Sequence, residues 1–167
     1  LPALLLITAV LAPATARAQR LPTTVVPDHY ELAFDVDLAA GRFSGTTRIQ
    51  VQVRQPLRRI VLHALDLDFT AVDVVAGAET LRATLTTQPT TETVALTLPR
   101  EIPAGPAEIR ATYRARLNTD LRGFYLSTAN NRRYAVTQFE STDARRAFPS
   151  FDEPAFKATF SVALTID

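Results

Sequence analysis

The chain has 167 residues, of which 47% are hydrophobic, and it contains no cysteine, tryptophan or methionine. This length suffices for one domain whose core needs neither disulfides nor a structural metal. The formal net charge of +1, with basic residues spread along the chain, argues against a nucleic-acid partner.

Residues 1–18 differ from the rest of the chain. An apolar run over residues 1–12 precedes Ala16-Arg17-Ala18, whose small residues at alternate positions are typical of a signal-peptidase site. The run is shorter than the roughly 20 residues of a membrane-spanning helix. We therefore predict an incomplete signal peptide cleaved after Ala18, no membrane span, and a periplasmic or extracellular protein. A buried N-terminal helix or a lipid-facing anchor is the alternative.

From Tyr30 onward, apolar and polar residues alternate with a period of two, as in strands with one buried face. Residues 30–38 and 43–53 flank a turn at Ala39-Ala40-Gly41, which predicts a β-hairpin. Residues 118–133 are expected to form a loop that contains the turn residues Gly123 and Asn130-Asn131. The other predicted strands are short and cover residues 59–63, 66–75, 81–85, 93–98, 108–117, 134–139 and 159–166.

After residue 18, no segment shows a sustained period of 3.6 residues in its apolar positions. Many short alternating strands separated by turn residues indicate an all-β domain, either an antiparallel β-sandwich or an open barrel. Since the last alternating run reaches the end of the sequence, we expect a domain fragment that stops before its last strands.

The residue inventory excludes most catalytic sites. His29 and His63 are the only histidines, and the sequence contains no H-E-x-x-H, no G-x-S-x-G and no cysteine nucleophile. A zinc site within the chain is therefore not expected, and each histidine is expected to have a structural role at the end of a strand.

Asp152 and Glu153 are the acidic pair that could suggest a glycosidase. Adjacent residues of an extended chain point to opposite sides, so the two carboxylates are not expected to converge on one bond. We predict instead that Asp152 or Glu153 pairs with Arg145 or Arg146 and holds a turn that is flanked by prolines.

The segment over residues 134–160, YAVTQFESTDARRAFPSFDEPAFKATF, resembles the N-terminal domain of the M1 (gluzincin) aminopeptidases, the group of aminopeptidase N. Where that family usually has cysteine, this chain has Ser150. The resemblance extends over about residues 21–167, because earlier motifs also match: Leu21-Pro22 followed by Pro27-x-His29-Tyr30, then Phe43-x-Gly45, His63-Ala64 followed by Leu67, and Gly123-Phe124-Tyr125.

The resemblance implies that residues 19–167 form a saddle-like, non-catalytic β domain of a secreted zinc aminopeptidase. The zinc ion would be bound by a thermolysin-like catalytic domain outside this chain, and the substrates would be peptides with a free N-terminus. Within this chain, Glu140 matches the residue that holds the substrate's α-amine, and Gln138 matches one that lines the pocket for the first side chain. No catalytic or metal-binding residue is implied here.

Physical chemistry supports the role implied for Glu140. A peptide α-amine has a pKa near 7.7–8.0, so it is largely an ammonium ion at neutral pH. In a poorly hydrated site a carboxylate would pair with it, and removing that partner would cost on the order of 3–5 kcal/mol.

Two alternatives for the function of the whole protein remain: an M1-like binding or scaffolding protein that lacks the zinc motif, and a stand-alone secreted β-sandwich for adhesion.

Overall fold

A computed structural model describes residues 20–166, so the predicted signal peptide lies outside the described residues. These residues form eleven β-strands and two short 3₁₀ turns, at Pro89–Thr91 and Ala144–Arg146. In chain order the strands are β1 (Val25–Asp37), β2 (Arg42–Val53), β3 (Leu57–His63), β4 (Asp68–Ala76), β5 (Glu79–Arg82), β6 (Thr84–Gln88), β7 (Thr93–Ile102), β8 (Gly105–Arg116), β9 (Gly123–Ala129), β10 (Arg132–Gln138) and β11 (Thr159–Ile166).

The strands form three sheets. The largest has six strands in the order β11-β1-β2-β8-β4-β5, the second has the order β3-β7-β6, and β9 and β10 form a two-stranded hairpin. Neighbouring strands are antiparallel except β1 and β11, which are parallel. The predicted all-β, mainly antiparallel fold is confirmed. No helix among the described residues is long and apolar enough to cross a membrane.

Alternating burial along the strands builds the core. In β2 every second side chain is buried along the whole strand, as the sequence pattern predicts. The buried row of the six-stranded sheet joins that of the three-stranded sheet in one cluster, which includes Ile49, Tyr113, Ile60 and Leu96. Full burial of an aliphatic side chain contributes about 1.5–3 kcal/mol, so these rows hold the two sheets together.

The predicted hairpin between residues 30–38 and 43–53 is confirmed as β1 and β2, with Val36 opposite Phe43. The predicted final strand is confirmed as β11, which pairs with β1 at the edge of the sheet. Phe160 stacks on Tyr30 with 4.8 Å between the ring centroids. The apolar side chains of β11 are exposed within the described part of the chain.

The prediction of a loop over residues 118–133 was wrong. Residues 123–129 form β9, and β10 begins at Arg132. Asn130 and Asn131 both have positive φ, 52° and 60°, and form the two-residue turn that joins these strands. The hairpin is fixed to the core because Phe124 is buried.

The single strand predicted over residues 81–85 was also wrong. β5 pairs with β4 in the six-stranded sheet, whereas β6 pairs with β7 in the three-stranded sheet. The chain crosses between the sheets at Ala83, which is buried and donates its N–H to the carbonyl of Val72 at 3.0 Å. One apolar sequence pattern therefore covers two short strands.

Candidate functional site

The two residues predicted to bind substrate lie at the end of the β9–β10 hairpin. Gln138 is the last residue of β10 and lies opposite Gly123, the first residue of β9. Glu140 follows two residues later, in a turn. Both side chains are exposed, and the Glu140 carboxylate forms no ion pair with any residue between 20 and 166. The carboxylate is therefore available to a cation from outside the domain.

Phe139 fixes the backbone between the two residues. Its ring packs edge-on against the buried Phe148, with centroids 5.9 Å apart and an interplanar angle of 81°. The carbonyl of Phe139 accepts a hydrogen bond of 2.9 Å from the N–H of Asp143, which closes the turn that contains Glu140. The side chain of Glu140 is thus exposed on a turn whose first residue packs on the core.

Arg145 holds the segment that follows this turn. Its buried guanidinium donates from Nε to Oδ2 of Asp152 at 3.0 Å and from Nη1 to Oε2 of Glu92 at 3.0 Å. Two carboxylates offset the cost of burying this charge. The predicted pairing of Asp152 with Arg145 is confirmed, whereas Glu92 was not foreseen as a partner.

Glu153 binds a different part of the chain. Its carboxylate accepts a hydrogen bond from the N–H of Leu21 and lies 3.9 Å from Nη1 of Arg20. Asp152 and Glu153 therefore have separate partners, and both serve to hold the segment in place.

His63 ends β3 and pairs with Ser150 through two backbone hydrogen bonds, of 2.8 and 3.0 Å. Burial, and then the Arg145 guanidinium, lowers the pKa of His63 to about 4, although Glu153 acts in the opposite direction. The imidazole is therefore neutral at pH 7. Among the described residues, His63 Nδ1 and Ser150 Oγ have no hydrogen-bond partner. Ser150 thus occupies a buried position beside the end of β3.

His29 connects β1 with β11. Its Nδ1 lies 2.7 Å from Oγ1 of Thr159, and its Nε2 lies 3.3 Å from Oγ of Ser161. Both ring nitrogens are thus engaged by hydroxyl groups of the neighbouring strand. These contacts agree with the structural role that the sequence predicts for His29.

An open cleft of about 460 Å³ lies beside the Arg145 network, with Thr142, Glu92 and Glu153 in its lining. Neither Gln138 nor Glu140 lines this cleft. Within residues 20–166, no three side chains of histidine, cysteine, aspartate or glutamate are close enough to hold a metal ion. The described residues therefore do not fit a zinc site.

The sequence did not indicate how the turn is packed from the other side. The sequence identified Gly123 as a turn residue and as part of a motif, but not that its backbone lies against Arg146 and Asp143. The features of the sequence that bear on this contact are the glycine before the aromatic residues of β9 and the pair of arginines in the later motif. The through-space contact between them is a property of the folded chain.

Together these features define an all-β domain that presents a carboxylate and an amide at the open end of a hairpin. The model of the peptidase M1 N-terminal domain matches residues 26–167. The chain belongs to the peptidase M1 family and corresponds to its N-terminal domain, which confirms the resemblance found in the sequence.

Relatives from plants, animals and bacteria carry the same region. The chain is 40% identical over 155 residues to aminopeptidase M1-D of Oryza sativa subsp. japonica, covering 88% of the chain and 17% of the relative. It is 37% identical over 157 residues to human endoplasmic reticulum aminopeptidase 1, covering 87% of the chain and 16% of that relative. It is 34% identical over 154 residues to aminopeptidase N of Acetobacter pasteurianus, covering 89% and 42%. The chain thus spans less than half the length of each of these proteins.

Proposed function

We propose that the chain is the substrate-anchoring N-terminal domain of an exported, zinc-dependent aminopeptidase. In this proposal Glu140 binds the α-ammonium group of a peptide and Gln138 lines the pocket for its first side chain. The metal and the catalytic groups belong to a thermolysin-like domain outside residues 1–167. The family match and the aminopeptidase relatives support this assignment.

The observation that carries the proposal is the free carboxylate of Glu140 on an anchored turn. A carboxylate that already has an internal partner would have to exchange it, whereas Glu140 has none among the described residues. A domain covering the hairpin end would exclude water and strengthen the charge pair. An internal peptide bond carries no ammonium group and would leave Glu140 desolvated and unpaired, which favours exopeptidase action.

Gln138 suits a pocket wall rather than a charge anchor. Its amide offers both hydrogen-bond donors and an acceptor, and its position opposite Gly123 fixes its backbone at the end of the strand pair. We expect its substitution to alter the preference for the first side chain more than the requirement for a free amine.

Substitution of Glu140 in the full-length protein tests the anchoring role. We expect Glu140→Ala to lower kcat/KM for free-amine peptides at least about tenfold, since a charge-assisted contact is lost. Glu140→Gln should retain little of the activity, because an amide cannot neutralise the ammonium group. Glu101→Gln, an exposed carboxylate on β7, is the matched control. Unchanged kinetics for Glu140→Ala would remove this residue from the site.

The proposed export rests on the predicted signal peptide over residues 1–18, not on the fold. Cleavage after Ala18 would leave Gln19 as the first residue of the mature protein. Sequencing the N-terminus of the protein recovered outside the cytoplasm tests this, and a mature protein that retains residues 1–18 would contradict it.

A further inference from the structure

Gly123 and Arg146 approach each other more closely than two residues with side chains could. A Cβ atom at position 123 would lie 2.6 Å from Cβ of Arg146 and 3.2 Å from the carbonyl oxygen of Asp143. Gly123 also has a φ of +66°, a conformation that L side chains rarely adopt. Because Gly123 lies opposite Gln138, this contact lies directly across the strand pair from the proposed site.

Arg146 also binds two carboxylates from different parts of the chain. Its Nε donates to Oδ1 of Asp143 at 2.9 Å, and its Nη1 donates to Oδ2 of Asp66, between β3 and β4. Its backbone N–H donates to the carbonyl of Asp143 at 3.1 Å. The Arg146 side chain is only 18% exposed, so this charge pairing takes place partly out of water. The Arg146 side chain thus links its own segment to Asp66 and to Gly123.

These contacts hold Asp143, at the end of the turn that carries Glu140. Asp143 closes the turn by donating its N–H to Phe139, and Arg146 holds Asp143 from the opposite side. We propose that Arg146 is a positioning residue, which acts through Asp143 and Gly123 to set where the Glu140 carboxylate is presented. This inference rests on the substrate-anchoring role proposed above. Arg146 itself does not touch the substrate.

Arg146 is a better candidate for this role than its neighbour Arg145. Arg145 is more deeply buried and pairs with Glu92 and Asp152, which hold the later part of the segment against β3 and β7. Its loss would remove the buried charge that joins these two partly exposed carboxylates and endanger the fold. Arg146 contacts Asp143, the exposed Asp66 and Gly123, so its removal should displace the turn while the sandwich remains folded.

The test uses the full-length protein and Arg146→Ala. We expect the KM for free-amine peptides to rise about threefold to tenfold while kcat changes less than about twofold, as when an interaction common to the ground and transition states is weakened. Arg146→Lys should restore part of the loss, because lysine can reach one carboxylate but cannot bind both with a planar fork. Arg82→Ala, which breaks an exposed ion pair with Asp73, is the control and should leave KM unchanged.

A double variant separates positioning from a general loss of structure. If Arg146 acts through Glu140, then Glu140→Ala combined with Arg146→Ala should be within about twofold of Glu140→Ala alone. Fully additive losses would overturn the inference, as would an Arg146→Ala enzyme with normal KM while Glu140→Ala is impaired. If Glu140→Ala itself has no effect, the proposed function fails instead.

Asp66→Asn provides a second test of the positioning role in case Arg146→Ala does not fold. Asp66 is exposed and binds Arg146 from outside the sandwich, so its substitution should spare the core. We expect a smaller rise in KM, about twofold to threefold, that again disappears when Glu140 is already alanine. An unchanged KM in this variant, or a rise that persists without Glu140, would contradict the positioning role.

Discussion

At the scale of single residues, burial decides the charge state of His63. The side chain is 5% exposed, and Arg145 lies close enough to disfavour a second positive charge. A histidine in the unfolded chain has a pKa near 6.5. The folded domain therefore binds a proton at His63 less readily than the unfolded chain does, and this difference links folding to pH.

The stability of the domain should fall as the pH drops from about 6.5 to about 4. The contribution of neutral His63 is fully present above the unfolded pKa and is lost progressively until the pH reaches the folded pKa of about 4. The total loss from this residue is on the order of 3 kcal/mol. His63→Gln does not titrate, so urea unfolding at pH 7 and pH 4.5 should show a smaller loss of stability than in the wild type. Equal losses in the two proteins would show that His63 is not held neutral.

The residues of the site differ in how far the sequence could identify them. Glu140 and Gln138 were predicted from the resemblance of their motif to the family whose N-terminal domain the chain matches. The Arg145–Asp152 pair could be predicted since opposite charges in one short segment had few other partners. The Gly123–Arg146 contact could not, because 23 positions separate the two residues along the chain and only the strand pairing brings them together.

At the scale of strands, Gly45 of β2 leaves room for the ring of Tyr113 on the neighbouring strand β8. Gly45 lies opposite Tyr113, and a Cβ at Gly45 would be 2.5 Å from Cζ of the tyrosine ring. The ring is fully buried, and its hydroxyl lies 3.0 Å from Oγ1 of Thr47. The glycine thus provides the space in which this ring is packed.

Gly45→Ala should destabilise the domain by about 2 kcal/mol, since the tyrosine ring has to move within a close-packed core. The midpoint of urea unfolding measures the effect. Ser44→Ala changes the exposed neighbour on the same strand and should alter the stability little. If Gly45→Ala is as stable as Ser44→Ala, the ring does not lie over this glycine.

A strand with one buried and one exposed face over a long stretch is predicted most directly from the sequence. β2 meets this condition at every position, so its sequence alternates without interruption. β9 does not, because its positions change from buried at Phe124 through half-buried to exposed at Thr128 and Ala129, without alternation. The division between β5 and β6 at Ala83 was missed because a strand that changes sheets can keep the same apolar period.

At the scale of the whole molecule, the domain presents the proposed substrate-binding residues, Gln138 and Glu140, on a large apolar framework. β3 and β7 belong to the three-stranded sheet, and the Arg145 network holds the segment after the Glu140 turn against them. The end of the β9–β10 hairpin presents Gln138 and Glu140 beside this segment. Few of these contacts involve the site residues directly. We therefore expect substitutions at Glu140 to affect substrate binding with little effect on folding.

The pairing of Glu140 with a peptide ammonium group is tested most directly by a cycle that removes either partner. The measurement is the affinity of the full-length protein and of Glu140→Gln for an uncleaved substrate analogue, with and without its α-amine. We predict that loss of the amine weakens binding to the wild type at least about tenfold but to Glu140→Gln less than about threefold. The same loss of affinity in both proteins would contradict the pairing.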